Sequence, residues 1–255
     1  MSKLPKEHRF LDLSDYGRPI ATLIANRLKS TRVTPIHVTW AFVVSGLVAV
    51  TLILYGWYWP ALFFLLLKSI LDAADGELAR LKDTPSHTGR YFDSISDFFL
   101  NFLLIISLWH ITNGDLLVAL IAFAGLELQG TLYNYYYAIL RNKYNGDTTS
   151  RVFELKPPKA LKGENQHTVN ILYRIYSIFY GPYDRVIYYL DQKAIKGTYL
   201  PHWLMTAIST FGLGFQLLLI GLLLVFGLKE FIIPFFLIYT PMVFIYIIIR
   251  QSLNN

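Results

Sequence analysis

No cysteine occurs among the 255 residues, which excludes disulfides, thiolate zinc sites and cysteine nucleophiles and leaves the redox compartment unread. Charge is scarce as well: 16% of residues are charged against 54% hydrophobic, too apolar a balance for an ordinary soluble domain of this size. Residues 1–15 contain Lys, Glu, Asp and Pro but no apolar run, so no cleavable signal peptide is visible and insertion is expected to rely on internal segments. Low-complexity tracts and internal repeats are also lacking.

What is present is a series of long apolar stretches. Six of them, at 37–56, 57–73, 96–112, 115–140, 203–227 and 231–249, approach the roughly 20 helical residues that cross a hydrocarbon core. The fold class expected is an all-α membrane protein with six transmembrane helices. Residues 11–29 carry apolar side chains at helical spacing among Arg18, Arg27 and Lys29, the pattern of an amphipathic helix lying in the interface. The Tyr-rich stretch 168–190, broken at Gly181 and Pro182, is read as a second interfacial segment, because Arg174, Asp184 and Arg185 are costly in hydrocarbon. Taken together, 1–255 is one domain: an N-terminus at 1–36, four spans over 37–140, a long loop at 141–202 and two spans over 203–250.

The net charge is +6. Of the 23 basic residues, all but Lys68 and Lys229 lie in 1–36, 74–95, 141–202 or at Arg250, and the turns at 56–58 and 112–114 hold none. The positive-inside rule then puts both termini and the two long connections in the cytoplasm, and the basic excess needs no nucleic-acid polymer as partner. Tyr133, Tyr135, Tyr136 and Tyr137 are expected as interface anchors.

The chemistry is concentrated in LDAADGELARLKDTPSHTGRYFDSISD. Asp72 and Asp75 are three apart with Ala79 seven after Asp72, so all three share a helix face; Asp93 and Asp97, four apart, share another. Two carboxylate pairs at the cytoplasmic ends of adjacent helices repel unless a cation joins them. Oxygen ligands without His or Cys suit Mg²⁺ or Mn²⁺, one ion or two, and Mg²⁺ commonly bridges to phosphate. Gly76 and Gly89 leave the backbone approachable, and Arg80 offers a fork to phosphate oxygens.

The residues Asp72, Asp75, Gly76, Ala79, Arg80, Gly89, Asp93 and Asp97 reproduce at every position the signature DxxDGxxARx8GxxxDxxxD, so the chain resembles the CDP-alcohol phosphotransferase family. The resemblance implies attack of an alcohol hydroxyl on a phosphorus of a CDP-alcohol, giving a phosphodiester and CMP in phospholipid biosynthesis, with Mg²⁺ or Mn²⁺ and commonly a homodimer. It implies Asp72, Asp75, Asp93 and Asp97 as metal ligands, Asp97 also as general base, and Asp72, Gly76, Ala79, Arg80, Gly89 and Asp93 as the CDP pocket. One departure is Ile36 after Pro35, where many relatives carry Asn; His37 could supply the missing contact.

The motif does not say which substrate is the lipid. CDP-diacylglycerol with a polar acceptor is favoured over CDP-choline or CDP-ethanolamine with diacylglycerol, because Phe92 fits the second branch but Ser94, Ile95 and Ser96 do not. A divalent-cation transporter is the alternative of another class. Outside the motif, Lys68 is expected to pair with Asp72, and Glu127 is an intramembrane carboxylate with a functional or a merely buried role. Asp83 and His87 are assigned to a solvated loop. Arg141, Lys143 and Arg151 are candidates for phosphorylated or anionic lipid headgroups.

Overall fold

Helix boundaries follow the caps written in the sequence. The computed structural model describes residues 4–144, 154, 156–196 and 199–254, and these are helical with no strand among them. Helix α1 (Arg18–Leu28) starts with Pro19 in its first turn, where a missing N–H costs nothing. Helix α2 (Pro35–Leu54) opens on a capping box, in which the Thr34 Oγ1 accepts from His37 N and the His37 Nδ1 accepts from Thr34 N at 3.0 Å. A tight turn at Gly56 (φ 76°) leads into α3 (Tyr58–Leu81). Ser86 caps α4 (His87–Thr112) by accepting from Gly89 N at 2.8 Å, and Asn113 in the left-handed region (φ 51°) stops it. Asp115 caps α5 (Leu116–Lys143) by accepting from Val118 N at 3.0 Å.

The expected interfacial stretch near 168–190 resolves into α6 (Gln166–Phe179) and α7 (Gly181–Leu190), parted where Pro182 enters the first turn of α7. Toward the C-terminus come α8 (His202–Ile208), α9 (Leu213–Val225), α10 (Ile232–Tyr239) and α11 (Met242–Ser252). The segments His202–Phe211 and Leu213–Val225 meet at 54°, so the apolar run expected at 203–227 is a bent pair around Gly212.

Four helical segments among the described residues are long and apolar enough to cross a membrane, and the bent pair makes a fifth. Trp40, Val44, Phe63, Leu117, Ile121, Ile238 and Ile248 are exposed on the outside, as lipid-facing side chains are. Helix α3 is long enough but less apolar, because its second half carries Lys68, Asp72, Asp75, Glu77 and Arg80. It is nevertheless the packing centre, lying against α1, α2 and α9.

One expectation fails. Tyr133, Tyr135, Tyr136 and Tyr137 are buried rather than arrayed as interface anchors. Their hydroxyls find partners inside the protein: Tyr133 donates to Asp12 Oδ2 at 2.6 Å, Tyr135 to the Asp191 carbonyl at 2.8 Å and Tyr136 to Asp191 Oδ2 at 2.6 Å. Asp191 is also ion-paired with buried Arg250. The tyrosines therefore bolt the N-terminal segment and the C-terminal helix to α5.

The N-terminal segment is held equally closely. Leu13 N donates to Ser209 Oγ at 2.9 Å, and a Cβ placed on Gly214 would fall 2.0 Å from the Ser14 carbonyl oxygen and 2.9 Å from Ser69 Oγ. Gly214→Ala must push backbone, not a flexible side-chain tip, and is expected to lose on the order of 1–3 kcal/mol. Thermal unfolding in detergent checks this. Gly181→Ala, whose Cβ meets only Ser177 Cβ at 3.9 Å, is the control, and equal midpoints for the two variants would refute the close approach.

Candidate active site

The helix pairing α2, α3, α4 brings the motif into a cavity of 890 Å³. All eight motif residues line it: Asp72, Asp75, Gly76, Ala79 and Arg80 from α3, and Gly89, Asp93 and Asp97 from α4. Oxygens of Asp72, Asp75 and Asp93 lie within 4.8 Å of one another. The fourth carboxylate stands apart from this triad. Asp97 is ion-paired with Lys68 Nζ, so the lysine's direct contact is Asp97, while the expected partner Asp72 feels its charge without touching it. Lys68 is 1% exposed and does not line the cavity; it reaches Asp97 from behind.

These residues fit a cation. Asp93 Oδ1 is buried and accepts no hydrogen bond among the described residues, an expensive condition for a carboxylate oxygen unless something positive reaches it. Asp75 is 8% exposed, and its Oδ2 accepts from Thr39 Oγ1 at 2.7 Å, which fixes that carboxylate toward its neighbours. An all-oxygen donor set of this kind suits a hard divalent ion.

Around the triad the charges are ordered. Arg80 Nη2 donates to Glu77 Oε2 at 2.7 Å, and Arg18 joins the same carboxylate at 3.3 Å while its Nε holds Asp15 at 2.8 Å. The guanidinium of Arg80 is thereby held at the cavity wall. The first turn of α4 is pinned from the long connection after α5. Glu164 Oε1 accepts from Thr88 N at 2.7 Å and from Ser86 Oγ at 2.8 Å, and its Oε2 accepts from Leu161 N at 2.9 Å. Glu154 binds Arg90 at 2.7 Å and the Tyr91 hydroxyl at 2.6 Å.

Partial burial would raise the Glu164 carboxyl, but the N–H groups of Thr88 and Leu161 and the Ser86 hydroxyl outweigh it and hold the group below the usual glutamate range. A depressed folded-state value means stability fully present above the ordinary Glu value of about 4.3 and lost as pH falls below it, through the folded-state value. Glu164→Gln is expected to flatten the acid limb of the unfolding midpoint below the ordinary Glu value of about 4.3. Identical acid limbs for variant and parent would contradict the assignment.

Several residues enter the site that sequence reasoning passed over. Thr39 and Ser86 line the cavity without a motif signal, and Glu164 and Glu154, 76 and 64 residues from Thr88 and Arg90, hold the start of α4 from outside the lining. Asp83, assigned to a solvated loop, lines the cavity mouth in the left-handed region (φ 51°), while His87 opens α4 outside the lining. Ile36 lines the cavity, but His37 does not, since its ring closes the capping box of α2. Arg141 reaches the lining with its guanidinium over the Tyr137 ring, whereas Lys143 lies over Tyr144 outside it; Arg151 falls outside the described residues. Glu127 belongs to the cavity, where it accepts from Asn101 Nδ2 at 2.9 Å.

A helical protein of membrane character, with three converging carboxylates that can hold an ion and a fixed arginine beside them, is an integral membrane enzyme built for a phosphate-bearing substrate. The comparison with protein families agrees: the model described as CDP-alcohol phosphatidyltransferase matches residues 24–181, more than half of the chain and the whole of the motif. The chain belongs to the CDP-alcohol phosphatidyltransferase family and is a transferase of substituted phosphate groups in lipid synthesis. No curated protein matches the chain significantly.

Proposed function

We propose that the chain transfers a phosphatidyl group from CDP-diacylglycerol to a small polar alcohol, releasing CMP. The observation that carries this reading is the split of the four aspartates into a triad, Asp72, Asp75 and Asp93, and a separately paired Asp97. The triad would hold Mg²⁺ or Mn²⁺, and the ion, when bound, neutralises the diphosphate and the departing CMP. Gly76, Ala79, Arg80 and Gly89, with Asp72 and Asp93, would form the CDP pocket, since all line the one cavity and a Cβ on Gly76 would meet nothing nearer than the Arg80 guanidinium at 3.6 Å, which leaves the backbone approachable there. Asp97 would accept the acceptor hydroxyl's proton, because it faces the cavity free of the triad while Lys68 compensates its charge.

A polar acceptor is supported by the cavity beyond Asp97, walled by Asn101, Glu127, Thr131 and Gln216, a poor surface for acyl chains. The reverse assignment, a CDP-linked headgroup passed to diacylglycerol, lacks such support. Transport is set aside by family membership. We further read the chain as a single domain with six spans, counting α3 as the second. The N-terminal α1 and the α6–α7 pair would lie in the interface, the termini and site would face the cytoplasm, and the protein would form a homodimer.

The test is CMP release by purified protein in lipid nanodiscs, offered CDP-diacylglycerol or CDP-choline with diacylglycerol, and Mg²⁺ or Mn²⁺. Release from CDP-diacylglycerol with a polar alcohol, absent without metal, is the expected result. Release from CDP-choline alone would reverse the assignment of donor and acceptor.

A further inference from the structure

The motif arginine is placed by residues that stand behind the cavity wall. Asp15 and Arg80 line the cavity, whereas Arg18 and Glu77, which connect them, do not. The four make a chain of alternating charge: Arg18 Nε donates to Asp15 Oδ2 at 2.8 Å, Arg18 Nη1 donates to Glu77 Oε2 at 3.3 Å, and Arg80 Nη2 donates to the same oxygen at 2.7 Å. The Glu77 and Arg80 side chains are each 13% exposed, so this is not a solvated surface pair of little consequence. Arg18 is itself held firmly, because α1 packs on α3. Ala21 and Ala25 are buried with Ala74 and Leu78, and a Cβ on Gly17 would fall 2.7 Å from Ile70 Cγ1.

The bond to Glu77 fixes where the Arg80 guanidinium rests. A long helical side chain leans toward the helix N-terminus, and with Nη2 tied to residue 77 the Arg80 fork lies over the motif glycine. Its Nη1 and Nη2 would stand 3.6 and 3.9 Å from a Cβ on Gly76. Gly76 directly follows Asp75 of the triad, so the fork is folded back toward the carboxylates that can hold an ion. Arg80 has five N–H donors, and one bond to Glu77 orients the fork without exhausting it. A diphosphate arriving at the ion then meets a fork whose ordering cost has already been met. Arg18 acts one step further back: it grips the Glu77 carboxylate from α1, so the acid has a fixed place from which to hold Arg80. The signature leaves position 77 open and does not reach residue 18, so neither is named by the motif.

Resting on the transferase reading above, we infer that Glu77 and Arg18 are positioning residues for the donor: Glu77 orients Arg80 on the diphosphate, and Arg18, reaching from α1, orients Glu77. Neither touches the substrate, and both act through Arg80.

The experiment is a double-mutant cycle read by calorimetric binding of CDP, with Mn²⁺ present, to the full chain in nanodiscs. Glu77→Gln is expected to raise the Kd for CDP about tenfold or more, the worth of a charge-assisted bond, while Mn²⁺ binding without CDP stays at the parent value. Arg18→Gln should weaken CDP in the same direction by a smaller factor. In an Arg80→Ala background, neither change should weaken CDP further, an outcome that a general structural role for the two residues would not produce. An unchanged or tighter CDP affinity in Glu77→Gln overturns the inference and leaves the transferase reading standing, as does an equal loss with and without Arg80. If Glu77→Gln does not fold, the Arg18→Gln and Arg80→Ala cycle carries the same test: loss in the parent background and none without Arg80 supports the inference, and any other pattern overturns it. A parent protein that binds no CDP in the presence of Mn²⁺ defeats the transferase reading itself.

Discussion

Asp97→Asn is expected to lower kcat by about 10²–10⁴, the usual worth of a positioned general base, while ion binding and the donor KM stay close to those of the parent. The expectation follows from the separation of roles. Asp97 lies outside the group of three carboxylates within 4.8 Å, and its charge is matched by Lys68. Replacing its carboxylate with an amide keeps the shape and removes the proton acceptor. Lys68→Met should act on the same step by a different route: Asp97 would remain, but buried without its cation, at a penalty of several kcal/mol in stability. Steady-state CMP release and calorimetric Mn²⁺ binding check both variants. If Asp97→Asn abolishes ion binding as completely as a triad variant does, the division of labour is wrong.

The triad variants should show a reversal of sign. Without a cation, the Asp72, Asp75 and Asp93 carboxylates repel one another across less than 4.8 Å in a buried site, and Asp93 Oδ1 has no hydrogen bond among the described residues to soften the cost. Asp93→Asn removes one of the three charges. In EDTA the variant is therefore expected to unfold at a higher temperature than the parent. With saturating Mg²⁺ the order inverts, because the parent gains stability by binding an ion that the variant holds poorly. Activity of the variant should fall by at least about 10³, the loss of several kcal/mol of charge stabilisation at the diphosphate. Differential scanning fluorimetry with and without metal measures the crossing. A variant less stable than the parent in both conditions would mean that the carboxylates are not in conflict.

The order of these effects also shows what could be read from the chain beforehand. Spacings of three and four along a helix put Asp72 with Asp75 and Asp93 with Asp97 without any tertiary information, and the eight motif residues do line one cavity. Capping residues such as Ser86 and Asp115, with Pro182 and Asn113, mark the breaks between helices for local reasons. Pairing between distant elements is another matter. Lys68 had an obvious partner one turn away in Asp72, yet its direct bond is to Asp97, 29 residues on, because α3 and α4 both pack against α2 and bring these two side chains together. Glu164 and Glu154 sit in a stretch whose composition reads only as a charged loop, and their targets on α4 are fixed by the fold alone.

The tyrosines of α5 show the same limit from the other side. An apolar ring with a polar tip suits a headgroup layer and suits a core with buried carboxylates equally well. Asp12 and Asp191, 121 and 55 residues from their tyrosine partners, decide between the two. Helix α3 misleads for the opposite reason: charges that line or support the cavity give a central helix a polar second half.

Anomalous diffraction from crystals of the protein grown with Mn²⁺ and CDP tests the central claim most directly. The account predicts a manganese peak coordinated by carboxylate oxygens of Asp72, Asp75 and Asp93 at about 2.2 Å, with the diphosphate beside it and Asp97 still bonded to Lys68. A peak seated on Asp97 and Glu127, with the triad empty, would contradict it.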